Sequence, residues 1–133
     1  MAIFIDASVL VAFANEDDIH NKKAIKIINS VVLNEYGQAL TTDYIFDEAV
    51  SVTLRKSNKK NAKELGNYVL NSEIYIAKVD TLIFQEAWRL FEKLEDFSFT
   101  DCTIIAFMKT FDIKNLATFD KEFKKLQWIN VIE

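Results

Sequence analysis

Five short apolar runs alternate with longer segments of helical period, and this alternation limits the fold more than any other feature of the chain. The runs are AIFI (2–5), QALTT (38–42), EIYIAKV (73–79), NLATF (115–119) and INVI (129–132). Each is too short for a helix of ordinary length and rich enough in apolar residues for a buried strand. Between them lie stretches whose apolar residues recur every three to four positions. Strands interleaved with helices predict a mainly parallel sheet covered on both faces, a three-layer α/β/α sandwich. At 133 residues, the whole of 1–133 makes one domain.

The connecting segments read as helices with identifiable ends. A first helix runs from about Ser8 and breaks in the polar patch NEDDIHN. A second carries Ala24, Ile27, Ile28, Val31 and Val32 and is expected to end near Gly37. Thr42 or Asp43 caps YIFDEAVSVTLRK, and Ser57 or Asn58 opens a helix with Ala62, Leu65, Tyr68, Val69 and Leu70. Asp80 caps TLIFQEAWRLFEKLE, whose expected apolar stripe is Leu82, Ile83, Ala87, Leu90, Phe91 and Leu94. Ser98 or Thr100 caps DCTIIAFMKTF, and KEFKKL makes a short helical turn.

Composition removes several functions. One cysteine, Cys102, cannot form an internal disulfide, and with His20 as the single histidine the usual zinc ligand sets cannot be assembled. Cys102 reads as a small core residue and His20 as a surface residue in a polar connection. No apolar run is long enough to span a membrane and no secretory leader is evident, so the expected location is cytoplasmic. A formal net charge of −4 argues against a protein that coats nucleic acid generally.

Acids stand where a buried strand would not want them. Asp6 ends the first strand and Asp120 follows NLATF. Ligands of open α/β sheets bind at the carboxyl ends of strands, near the point where strand order reverses. Asp101 falls in the first turn of a helix, where an acid also complements the helix dipole. On YIFDEAVSVTLRK, Glu48 lies at one border of the apolar face and Asp47 at the other, and helical geometry does not choose between them. A cluster of such carboxylates repels itself unless a hard divalent cation such as Mg²⁺ or Mn²⁺ sits among them.

The stretches FIDASVLVAF, TTDYIFDEAVSV, FSFTDCTIIAFM and LATFDKEF resemble, in this order and spacing, a PIN domain, with the nearest likeness to VapC-type ribonucleases of toxin–antitoxin pairs. The likeness spans essentially the whole chain. It implies that Asp6, Glu48, Asp101 and Asp120 are the catalytic, metal-binding acids, and it selects Glu48 over Asp47. Ser8 and Thr118 match hydroxyl positions beside the metal. The implied activity is Mg²⁺- or Mn²⁺-dependent endonucleolytic hydrolysis of RNA by in-line attack, leaving a 5′-phosphate and a 3′-hydroxyl. Asp6, Asp101 and Asp120 would hold one ion, and Glu48 would bind a second or orient the attacking water. A small antitoxin and a homodimer are the implied partners; an antitoxin arginine entering the acids would displace metal.

Two other readings compete. A haloacid-dehalogenase-like phosphatase also places an Asp after its first strand, but wants a second acid where this chain has Ser8. A non-catalytic PIN-like docking module would have no use for intact acids. Two basic groups, Arg55, Lys56, Lys59, Lys60 and Lys63, and then Lys121, Lys124 and Lys125, read either as solvated faces or as RNA-phosphate contacts. Phe84, Trp88 and Phe91 recur at helical spacing and are expected to face the core or a subunit contact.

Overall fold

The computed structural model describes residues 1–133. Five strands form one all-parallel sheet: β1 (Ala2–Ile5), β2 (Gln38–Thr42), β3 (Tyr75–Ala77), β4 (Asn115–Ala117) and β5 (Asn130–Ile132), in the order β3-β2-β1-β4-β5. The connections are helical: α1 (Ala7–Ala14) and α2 (Asn21–Val32), then α3 (Asp43–Lys56) and α4 (Lys59–Leu70), then α5 (Thr81–Lys93) and α6 (Phe99–Thr110). A 3₁₀ turn over Lys121–Lys125 joins β4 to β5.

Strand order dictates the layers. The chain starts on the central strand, steps outward through β2 to β3, then returns past β1 to β4. Crossovers between parallel strands are right-handed, so reversing the direction of travel moves the helices to the opposite face. The pairs α1–α2 and α3–α4 therefore cover one face, and α5–α6 the other. Their shared core includes Phe4, Ile5, Leu10, Ile45, Ile104, Met108, Leu116 and Phe123, all fully buried. Phe4 and Phe107 meet edge to face at 5.6 Å between ring centres. The reversal of strand order falls between β1 and β4.

Capping residues fix where helices begin. Asn58 Oδ1 accepts from Asn61 N at 2.7 Å, and Asp80 Oδ1 from Ile83 N at 2.9 Å. Thr42 Oγ1 accepts from Ile45 N at the start of α3. Ser98, not Thr100, caps α6. The end of α2 differs from expectation. It stops at Val32, and Asn34 (φ 61°) takes the left-handed position that Gly37 was expected to fill. Gly37 instead makes the turn into β2 at φ 75°, where a Cβ would collide with the Met1 carbonyl oxygen.

The outer stripe of α5 also departs from the sequence reading. Ile83, Ala87 and Leu90 are buried, whereas Leu82 is 75% exposed. Phe84, Trp88 and Phe91 are exposed and gather around Phe99 of α6, so they are not core. Cys102 is buried as expected, and burial raises its thiol pKa.

Candidate active site

Both strands at the reversal lead into a carboxylate, Asp6 directly after β1 and Asp120 three residues beyond the end of β4. Asp6 follows β1, and its backbone N–H donates to Ala117 O at 3.0 Å, which extends the β1–β4 pairing by one step. Its side chain is buried and serves as the N-cap of α1, accepting from Ala7 N at 2.7 Å. The other oxygen accepts from Thr118 Oγ1 at 2.7 Å and from Ser8 Oγ at 3.4 Å. Thr118 in turn accepts from Asp120 N at 3.0 Å, and Ser8 from Phe119 N at 3.1 Å. Two hydroxyls thus lock the β4 exit loop onto the β1 exit loop. Capping and site placement coincide in Asp6 rather than compete.

The same economy holds for the other acids. Asp101 Oδ2 accepts from Ser98 N while Asp101 N donates to Ser98 Oγ, a reciprocal capping box that leaves Oδ1 free. Asp120 Oδ1 accepts from Glu122 N and leaves Oδ2 free. Glu48, on the second turn of α3, is exposed and makes no hydrogen bond.

Asp6, Glu48, Asp101 and Asp120 line one hollow of about 460 Å³, together with Ser8, Asp18, His20, Lys56 and Phe119. Of the two acids the helix pattern left open, Glu48 enters this hollow and Asp47 does not. Asp47 lines an adjoining depression with Asp43, Tyr44, Glu48, Ser51, Arg55 and Thr100. His20 is a correction to the sequence reading. It is half-buried, stacked on Phe119 at 4.5 Å with rings 16° apart, and forms part of the hollow's wall. Nothing local in NEDDIHN signals this, because the partner ring lies 99 residues further along the chain. The largest cavity, about 920 Å³, opens elsewhere, between the end of α2, the end of α4 and the start of β2.

Electrostatics mark the hollow as costly when its acids are charged. Burial, with added repulsion from Asp101 and Glu48, pushes the Asp6 carboxyl up to about 7 against the pull of its Thr118 and Ala7 hydrogen bonds. Asp101 is raised by desolvation and by the Asp120 charge. Glu48 is raised by desolvation and by Asp101, with Arg55 pulling it back. Carboxylates that raise one another share a site.

The donor set fits a hard divalent cation. It consists of carboxylate oxygens with hydroxyls behind them, it offers no thiolate, and two of its acids keep an unengaged oxygen. The side chains ring the hollow rather than converging on one point, and no three of them form a ready-made ion-binding group as they stand.

Oxygen donors gathered where a parallel sheet reverses its strand order define an α/β domain with an acidic hollow at its seam. The chain belongs to the PIN domain family, whose model matches residues 3–129. Among solved structures it is similar to Mycobacterium tuberculosis VapC20, described as a sarcin–ricin-loop-cleaving toxin. That match has a TM-score of 0.83 at 21% identity and covers 92% of this chain and 93% of that one. It is also similar to a chain of VapBC2 from Rickettsia felis, solved bound to a promoter DNA fragment. There the TM-score is 0.69 at 13% identity, with 98% and 97% covered. No curated protein sequence matches the chain.

Proposed function

We propose that the protein is a metal-dependent endoribonuclease, the toxin of a VapBC-type toxin–antitoxin pair. One observation carries the reading: four carboxylates from separate segments line a single hollow at the β1–β4 seam. The family membership and the fold shared with VapC20 support it. Asp6, Asp101 and Asp120, with Glu48, would hold Mg²⁺ or Mn²⁺, which supplies Lewis-acid activation of water and charge neutralisation at a phosphodiester.

The chain's own groups then divide the work. Thr118 and Ser8 fix the Asp6 carboxylate by hydrogen bonds, so one oxygen arrangement is kept through the reaction. Glu48, free of any such bond, orients the attacking water and accepts its proton. The Ser98 capping box holds Asp101 at the rim. In-line attack at phosphorus leaves a 5′-phosphate and a 3′-hydroxyl. A small antitoxin silences the enzyme, with an arginine pairing to these acids, and the enzyme works in the cytoplasm as a homodimer. No helix is long and apolar enough to cross a membrane.

A phosphatase of the haloacid-dehalogenase kind is disfavoured by Ser8, whose hydroxyl bonds Asp6 and the Phe119 N–H where that chemistry needs an acid. The test is incubation with Mg²⁺ or Mn²⁺ and an RNA panel including tRNA and rRNA. Cleavage that Asp6→Asn abolishes is the expected result, and an intact panel refutes the proposal.

A further inference from the structure

The two basic groups of the sequence meet different fates in the fold. Lys124 pairs with Glu133 at 2.6 Å, and Lys125 pairs with Asp96 at 2.9 Å and Glu122 at 2.6 Å. That group is largely neutralised by its own neighbours. At the junction of α3 and α4, by contrast, Arg55, Lys56, Lys59 and Lys63 form no ion pair, and Lys60 has only a loose contact of 4.0 Å to Glu64.

Part of this group is where folding alone would not put it. Arg55 and Lys56 in the last turn of α3 suit the negative end of the helix dipole. Lys59 and Lys60 open α4, where the dipole is positive, and no acid balances them in that first turn. Two cations there oppose the dipole and raise the local potential further. Lys59 lines a separate depression with Phe46, Val50 and Leu54, on the side of α3 opposite Glu48 and Val52, so this pair stands away from the acidic hollow.

The position is also specific. Lys56 lines the acidic hollow itself, and Arg55 lines the depression that shares Glu48 and Val52 with it. Arg55 is close enough to lower the pKa of Glu48. On α3, Arg55 and Lys56 follow Glu48 by seven and eight residues. That is two turns along nearly the same face, a rise of about 10–12 Å. Long basic side chains thus begin where the proposed catalytic acids end. In a chain of net charge −4, this is a local inversion of sign leading out of an acidic hollow.

We infer that Arg55 and Lys56 hold RNA phosphates next to the scissile bond. The inference rests on the ribonuclease reading and adds to it the side from which the RNA strand enters. Without such cations, four carboxylates would repel the polyanion they are meant to cut.

The test is binding of a labelled single-stranded RNA to the Asp6→Asn protein in EDTA, followed by fluorescence anisotropy from low to high salt. Cleavage and metal then play no part. R55Q/K56Q, added to that background, is compared with K109Q/K114Q. This control removes the same charge from the end of α6, on the other face of the sheet, and from the residue before β4, at the amino end of a strand whose carboxyl end meets the hollow. Circular dichroism and melting confirm that each variant is folded.

Arg55 and Lys56 together neutralise two phosphates, so their removal should lower the slope of log affinity against log salt by about 1.4, while the control leaves the slope unchanged. Equal slopes in R55Q/K56Q and the control would overturn the phosphate contact while leaving the ribonuclease reading intact. A parent protein that binds no RNA at any salt overturns both.

Discussion

Asp6→Asn should make the metal-free protein more stable, by an amount that grows with pH. In the unfolded chain this carboxyl titrates at the ordinary 3.8, whereas in the fold burial holds its proton to about 7. Between those values the folded state binds more protons than the unfolded one. Stability fully present below 3.8 is therefore lost as pH rises through 7. At about 1.36 kcal/mol per pKa unit, the loss is about 4 kcal/mol once both states are ionised. Asn keeps the helix cap, since its oxygen accepts from Ala7 N as Asp does, and Thr118 can turn its hydroxyl to accept from the new amide.

The assay is urea unfolding of both proteins in EDTA across pH. The advantage of the variant should grow from under about 1 kcal/mol at pH 4 to about 4 kcal/mol at pH 8.5. An Asn variant no more stable than the parent at pH 8.5, or with an advantage independent of pH, would refute the argument. Glu48 and Asp101 contribute their own slopes to both proteins, and the difference between the curves reports Asp6 together with its coupling to them.

Mn²⁺ or Mg²⁺ should raise the melting temperature of the parent protein by several degrees and leave Asp6→Asn nearly unmoved, which differential scanning fluorimetry reads directly. Thr118→Val removes the donor to Asp6 and the acceptor for Asp120 N–H, so unfolding free energy should fall by about 1–3 kcal/mol. Gly37→Ala forces a Cβ onto the Met1 carbonyl at positive φ and should lower chemical stability by at least about 1 kcal/mol, with no loss of RNA affinity in the Asp6→Asn background.

The sheet was legible because parallel strands buried on both faces cannot avoid being short and apolar. Asp6 and Asp120 were legible for the opposite reason, as charges set directly after β1 and three residues beyond β4. Glu48 was a different case. A helical wheel ranks positions by angle but cannot say which border of α3 faces the seam, so Asp47 stayed in contention until family resemblance favoured Glu48, the one of the two that lines the hollow. His20 was misread because a stack on Phe119 leaves no trace in the residues around it. Whether a lysine is free was equally hidden, since Lys125 is neutralised in part by Asp96, 29 positions earlier. Gly37 drew the expected end of α2 too far because Asn34 can occupy the same left-handed region.

Strand order has a consequence for how the molecule comes into being. The first strand made lies in the middle of the sheet, yet its acidic end is held by a threonine that emerges 112 residues later. A growing polypeptide that has exposed Asp6 and Glu48 still lacks the seam, the hydroxyl clasp and the last carboxylate. The complete acidic hollow can therefore assemble only when nearly the whole chain has been made.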